Sequence, residues 1–158
     1  KVLTKRADFM DNFFGLLASY GNFDEDQYRE HTAFGFTLTG HDELERGASS
    51  NIERIGAMEK LHNRGYRIFA SMEPIVDFPS SMQMINGSLP FCDLYKIGLM
   101  SGNGVTYDPV EAQNFLSELQ QLPGQPKIYL KNSLVRFLGV DRKTLPENFV
   151  ESNYNMFG

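Results

Sequence analysis

The sequence is short of cysteine and contains no tryptophan: Cys92 is the single thiol among 158 residues. One cysteine excludes an internal disulfide, and it cannot hold a metal cluster or a zinc site built from several thiolates. No apolar run approaches the length that crosses a bilayer, and no signal-peptide pattern stands before the first predicted strand. We therefore expect no membrane partner and a cytoplasmic location.

Positive charge is also in the minority, with 15 Lys and Arg against 20 Asp and Glu, a net charge of −5. This balance argues against an extended nucleic-acid surface and leaves room only for a local basic cleft. Hydrophobic residues make up 41% and charged residues 22%, as is typical of a globular protein. The 13 Phe and 7 Tyr supply most of the large apolar side chains.

The central segment of the chain is a mostly apolar run over residues 66–77 that meets Glu73, Pro74 and Asp77. A continuous apolar run after a helix is typical of a parallel strand that is covered on both faces. Pro74 cannot donate to a sheet, so we expect the strand to end near Glu73. Glu73 would then lie at the C-terminal end of a strand, where α/β folds bind ligands, or it would only cap a loop or pair with a nearby lysine.

Strand and helix patterns alternate five times along the chain. The predicted strands cover 2–4, 32–39, 66–73, 93–98 and 127–131. The predicted helices cover 7–20, the segment opened by Ser50 and ended by Gly65, 80–86, 109–121, 133–138 and 145–150, and the acidic connector 24–26 is predicted to be a solvated loop. Ile52, Ile55, Met58 and Leu61 are predicted to face inward from the second of these helices, and Val110, Phe115, Leu116 and Leu119 from the fourth.

This alternation predicts an α/β fold with a parallel sheet and right-handed crossovers. Five units are too few to close an eight-stranded barrel, so we expect a partial (β/α) barrel with helices on its outer face and open sheet edges. Residues 1–158 would form one domain. Because the first strand pattern begins at Val2, we also expect the chain to be part of a larger fold.

Polar residues follow or occupy the C-terminal ends of the predicted strands. They are Lys5, Thr37, Thr39, Glu73, Asp77, Lys96, Ser101, Asn103 and Lys131. In a parallel sheet these ends lie along one rim, so the side chains should converge on a ligand site. Lys96 lies within a strand and needs a carboxylate nearby, and we expect Glu73 on the neighbouring strand to supply it. The glycines of 98–104 are a weak signal for a loop that binds an anion.

Four segments, 3–5, 36–39, 45–55 and 72–75, give the chain a resemblance to the radical S-adenosylmethionine superfamily, and to its spore photoproduct lyase-like branch in particular. The order of these segments carries the likeness, which extends over nearly the whole chain. The family's CxxxCxxC loop, which holds a [4Fe–4S] cluster, is absent from the sequence. The chain thus resembles the C-terminal half of the family's barrel, without the cluster-binding cysteines.

The resemblance implies a metal-binding enzyme with catalytic activity whose cofactors are S-adenosylmethionine and, in the intact protein, a [4Fe–4S] cluster. It implies cofactor-binding roles for Lys5 at the methionyl carboxylate, for Thr37 and Thr39 at the ribose or methionyl group, and for Glu73, which would also face the substrate. The substrate-side candidates are Lys96, Ser101, Asn103 and Lys131. The implied partners are the missing N-terminal half of the same protein and a substrate that the sequence does not identify.

Two other functions fit the same residues. A barrel-type lyase or aldolase would use Lys96 or Lys131 as a Schiff-base amine, which requires desolvation to lower the pKa of that amine. A non-catalytic binding module would instead use an open sheet edge to recruit a partner or a second copy of the chain.

Overall fold

The computed structural model describes residues 1–100 and 105–158, and its centre is one sheet of five parallel strands. The strands are β1 (Val2–Thr4), β2 (Ala33–Thr37), β3 (Arg67–Ile75), β4 (Leu94–Leu99) and β5 (Lys127–Leu130). They lie in chain order, β1-β2-β3-β4-β5, and every neighbouring pair is parallel. The prediction of an α/β partial barrel is confirmed.

Six α-helices connect or follow these strands in the described part of the chain. They are α1 (Phe9–Ser19), α2 (Glu25–His31), α3 (Asn51–Asn63), α4 (Phe78–Ser88), α5 (Pro109–Gln120) and α6 (Asn132–Leu138). The capping box that opens α3 is confirmed: the Ser50 hydroxyl accepts from the Glu53 amide, and the Glu53 carboxylate accepts from the Ser50 amide. None of the helices among the described residues is long and apolar enough to cross a membrane.

The acidic connector was expected to be a loop, and this expectation is wrong, because it begins helix α2. Asp24 is the N-cap of α2, and its carboxylate accepts from the amides of Asp26 and Gln27. Glu25 and Asp26 lie in the first turn, where negative charge interacts favourably with the helix dipole. The cluster of acidic residues is therefore a helix start.

The end of β3 also differs from the prediction, because the strand passes Pro74 and ends at Ile75. The pairing with β4 shifts register between Met72 and Ile75. This irregularity includes Pro74, which has no amide hydrogen to donate to β4. Glu73 therefore lies within β3, two residues before the strand ends, and it is still on the C-terminal side of the sheet.

No helix forms at 145–150, which corrects the last predicted element. Phe149 instead makes a parallel bridge with Ile128 of β5. The Val150 amide donates to the Ile128 carbonyl at 2.8 Å, and the Ile128 amide donates to the Asn148 carbonyl at 2.9 Å. This short stretch covers part of the β5 edge, which was predicted to be open.

All six helices lie against one face of the sheet, the outer face. The strand residues that pack beneath them alternate along the chain: Phe34, Phe36, Ile68, Ala70, Met72, Tyr95, Ile97, Ile128 and Leu130. Two helix residues expected in this core are exposed instead, Ile52 by 79% and Val110 by 67%. Three of the four inward residues predicted for α3, Ile55, Met58 and Leu61, do pack in or against the core, and Arg54 is buried beside them.

The opposite face of the sheet, the inner face, has a small apolar floor. Phe69 packs there with Ala33, Leu94 and Met156 from the C-terminal segment. A Cβ atom on Gly35 of β2 would come within 2.2 Å of the Phe69 ring, so only glycine allows the ring to lie across β2. Above this floor, toward the C-terminal ends of the strands, the inner face becomes polar.

Candidate binding site on the inner face of the sheet

Four polar side chains form one row across the inner face. Thr37 is the register partner of Ser71, Ser71 of Lys96, and Lys96 of Tyr129, on four successive strands. The residues before and after them along the strands belong to the core under the helices, so alternation directs this row to the inner face. We call Thr37, Ser71, Lys96 and Tyr129 the polar row.

Lys96 has an aromatic neighbour in place of the carboxylate that was expected. Its ammonium lies 4.7 Å from the centre of the Phe69 ring, a cation–π contact. No carboxylate among the described residues lies within ion-pair distance of it, so the predicted pair with Glu73 is wrong. Burial, together with the nearby charge of Lys1, lowers the pKa of Lys96.

Glu73 pairs with Lys131 instead, and this pair crosses the strand between them. The aliphatic chain of Lys131 passes over Gly98 of β4, where an added Cβ would lie 3.0 Å from the Lys131 Cδ atom. Both side chains remain about one-third exposed, and partial burial lowers the pKa of Lys131. The sequence placed both residues on the rim but not in contact with each other.

Two of the three hydroxyl-bearing residues of the polar row, Thr37 and Ser71, are largely buried and make no side-chain hydrogen bond to a described residue. Thr37 is 5% exposed and Ser71 7% exposed. Neither hydroxyl makes a hydrogen bond to any residue within 1–100 or 105–158. Neither hydroxyl oxygen is among the fully buried side-chain atoms that lack a partner, so both reach solvent and are available to a ligand on the inner face.

Lys5 and Thr39 meet at a different place, on the carboxylate of Glu45. The Lys5 ammonium lies 2.9 Å from Oε1, and the Thr39 hydroxyl donates to Oε2 at 2.9 Å. The Arg54 guanidinium donates to the same Oε2 at 2.6 Å. Burial disfavours the charged form of Glu45, but the donors Arg54, Lys5 and Thr39 outweigh it and lower the pKa of this carboxyl.

Arg54 organises this rim and was missed in the sequence analysis. Its side chain is fully buried and also donates to the carbonyls of Thr37, at 2.6 Å, and Ser49, at 2.7 Å. It thereby fixes the end of β2 relative to the start of α3. The signal that could have revealed it is spacing, since Arg54, Met58 and Leu61 recur at the period of a buried helix stripe.

His41 joins two loops at the same end of the sheet. Its Nε2 atom lies 2.5 Å from Asp77 Oδ2, and its Nδ1 atom lies 2.8 Å from Glu43 Oε1. Asp77 is also the N-cap of α4, since its other carboxylate oxygen accepts from the Ser80 amide. The hydrogen bonds to Asp77 and then to Glu43 raise the pKa of His41. The sequence showed no metal spacing for this histidine and no other role.

Two predicted substrate-side residues, Ser101 and Asn103, lie outside the described residues. The residues that are described contain no group of three or more His, Cys, Asp or Glu side chains that could hold a metal ion. Cys92 is buried on the helix side of the sheet, where its Sγ donates to the Leu94 carbonyl at 3.4 Å. An iron–sulfur cluster therefore does not fit this chain's own side chains, because the sequence has one cysteine and that residue is buried.

Comparison with protein-family models, with curated proteins and with solved structures finds no match in any of the three. The resemblance to the radical S-adenosylmethionine superfamily thus has no support beyond the four sequence segments.

Proposed function

We propose that this chain is the C-terminal part of a radical S-adenosylmethionine enzyme core, and that it supplies contacts to the cofactor and to the substrate. The observation that carries the proposal is the position of the candidate residues. Thr37, Glu73, Lys96 and Lys131 lie on or beside the polar row, and Lys5 and Thr39 meet at Glu45 on the same C-terminal side of the sheet. This is the side on which barrel enzymes carry their active sites.

The chain's own side chains have distinct roles in this proposal. Lys5 keeps about half of its side chain exposed while it pairs with Glu45, so its ammonium can also contact the methionyl carboxylate. The Thr37 hydroxyl, which makes no hydrogen bond to a residue that the structure describes, can bond to the ribose, whereas Thr39, engaged with Glu45, positions Lys5. Glu73, held by Lys131, can accept hydrogen bonds from a cofactor or substrate hydroxyl.

The cluster ligands would come from the N-terminal half of the same protein. With that half in place, S-adenosylmethionine would supply hydrogen-atom abstraction from the substrate. The outer edge of β1 supports this partner, because β1 pairs only with β2 within the described residues and Leu3 on it is exposed. The same edge would allow self-association, which sedimentation of the chain over a concentration series detects.

The test begins with the coding sequence upstream of Lys1, where we expect three closely spaced cysteines. The longer product would then be reconstituted anaerobically with iron and sulfide and reduced with dithionite, which supplies the electron that cofactor cleavage consumes. Cleavage would be followed as release of methionine and 5′-deoxyadenosine. Thr37→Val should weaken S-adenosylmethionine binding, and Thr144→Val, on an exposed turn, is the matched control. No iron–sulfur absorbance despite an upstream cysteine motif, or no such motif at all, would contradict the proposal.

A second candidate is a lyase or aldolase that forms a Schiff base, favoured by the lowered pKa of Lys96 and Lys131. A neutral amine attacks a carbonyl, and burial increases its population near neutral pH. Borohydride treatment with a small aldehyde should then label the chain at one of these lysines. Lys96→Met or Lys131→Met should abolish the label, and labelling spread evenly over surface lysines would contradict this function.

A further inference from the structure

We propose that the polar row binds an oxyanion, a carboxylate or phosphate group, between the ammonium of Lys96 and the hydroxyls of Ser71 and Thr37. The ammonium has no carboxylate partner in the described part of the chain, and its only assigned contact is the face of Phe69. A partly buried ammonium without a counter-ion has lost hydration and gained no ion pair, and a bound anion would supply that pair. The inference concerns binding by this chain and does not depend on the cofactor proposed above.

The spacing of the donors suits such a group. Thr37, Ser71 and Lys96 are register partners on neighbouring strands, which lie about 4.8 Å apart. Two donors at this separation can both reach one oxyanion with hydrogen bonds of about 2.8 Å. The long side chain of Lys96 lets its ammonium adjust to the same anion.

The surroundings favour negative charge at this position. Glu73, which lies two residues after Ser71 on β3, is paired with Lys131 and therefore repels an anion less than an unpaired carboxylate would. The charge of Lys1 also acts on Lys96 and adds to the positive potential. Beneath the row, the ring of Phe69 and the side chain of Met156 form an apolar floor. Such a floor excludes water from one side and strengthens charge-assisted hydrogen bonds.

The buried hydroxyls distinguish this site from a simple surface lysine. Thr37 and Ser71 are more than nine-tenths buried, yet neither hydroxyl bonds to a residue that the structure describes. Each hydroxyl oxygen still reaches solvent, so water can bond to it in the free chain and an oxyanion can replace that water. One oxyanion would accept from both hydroxyls and neutralise Lys96 at once.

The test is titration of the 158-residue chain with inorganic phosphate and, separately, with acetate, at constant ionic strength set by chloride. Binding would be followed through the backbone amide NMR signals of Thr37, Ser71 and Lys96. We expect saturable shifts confined to the polar row with at least one of the two anions. Tighter binding of phosphate would indicate a phosphate ligand, and tighter binding of acetate a carboxylate ligand.

Lys96→Met should weaken this binding at least tenfold, and Ser71→Ala several-fold. Lys60→Met, which removes the same charge from the exposed face of α3, should leave it unchanged. If Lys96→Met does not fold, the comparison of Ser71→Ala with Lys60→Met decides the question. Equal affinity in wild type and Ser71→Ala, equal losses in Lys96→Met and Lys60→Met, or the same shifts with chloride would overturn the proposal.

Discussion

Lys131, the residue directly after β5, pairs with Glu73 of β3 across the full width of strand β4, which lies between them in the sheet. The pair is possible because Gly98, the residue between them, has no side chain to obstruct the lysine. The Lys131 amide also donates to the Ile97 carbonyl at 2.7 Å, and this hydrogen bond holds the Lys131 backbone beside β4. The charge arrangement of the inner face therefore depends on one glycine.

Substitution of Gly98 should disrupt this pair. The Cβ of Gly98→Ala would lie 3.0 Å from Cδ and 3.1 Å from Cβ of Lys131, and the second of these atoms cannot move without the backbone. We expect a loss of about 1 to 3 kcal/mol in the free energy of unfolding, as is usual for overpacking. Urea denaturation measures this loss.

The matched control is Gly56→Ala on α3, where an added Cβ meets no atom within 4 Å. Alanine is the better helix former, so this variant should gain about 0.5 to 1 kcal/mol. A Gly98→Ala variant as stable as wild type, with Lys131 still beside Glu73, would show that the crossing over β4 is not tightly packed.

Removal of the Arg54 guanidinium should be the most damaging single change at the rim. Arg54→Met leaves the buried carboxylate of Glu45 without its arginine and two backbone carbonyls without their donor. Removing one partner of a buried ion pair costs about 3 to 5 kcal/mol. Urea denaturation of the variant would measure the loss.

Arg67→Met provides the comparison, because Arg67 is exposed and its nitrogen lies 3.5 Å from Asp93. An exposed pair of this kind contributes about 1 kcal/mol or less. Similar losses in the two variants would mean that the Arg54 network adds little to stability.

The elements that were predicted correctly are those whose signal is local. Alternating residues define β2, and the hydroxyl of Ser50 three residues before Glu53 marks the start of α3 whatever the rest of the chain does. Helix α2 has an equally local signal, the N-cap Asp24 followed by acidic residues, but its charge density is also typical of a loop. Capping geometry, and not charge, distinguishes the two.

The contacts of the candidate site could not be predicted, because each depends on how neighbouring strands align. Lys96 was paired with Glu73 on the argument that the nearest strand offers the nearest carboxylate. In the folded chain Glu73 lies within a register shift of β3, between Met72 and Ile75, where Lys131 reaches it over Gly98. Neither the shift nor the open space above a glycine can be inferred from residue order alone.

The pair of His41 and Asp77 should make stability depend on pH. Folding raises the pKa of His41 above the ordinary histidine pKa of about 6.5. The stabilisation from protonated His41 is therefore complete below that ordinary pKa and is lost as the pH rises through the pKa of the folded state. For Asp77, burial is outweighed by the Ser80 amide and His41, and its pKa is lowered. The stabilisation from ionised Asp77 is therefore present above the ordinary aspartate pKa of about 3.9 and is lost as the pH falls through the pKa of the folded state.

His41→Asn should consequently lose about 1 kcal/mol between those two limits, and the difference from wild type should shrink as the pH rises above neutrality. Thermal unfolding of both proteins across a pH series would measure it. Asp77→Gln should show the same pH dependence plus a constant loss of the α4 cap. A difference between wild type and His41→Asn that grows with rising pH would contradict the pairing.

Cys92 should be unreactive in the folded protein and reactive once the chain unfolds. Burial raises the pKa of its thiol to about 12, so almost none of the nucleophilic thiolate exists near neutral pH. Cys92 is 7% exposed, and its Sγ atom donates to the Leu94 carbonyl, so little of the thiol is presented to a disulfide reagent. With 5,5′-dithiobis(2-nitrobenzoate) we expect slow release of thionitrobenzoate without denaturant and stoichiometric release in urea. Because Cys92 is the single thiol, each rate belongs to this residue alone, and the native rate reports how often the packing of β4 against its helices opens. Rapid stoichiometric reaction without urea would mean that this part of the core is open in solution.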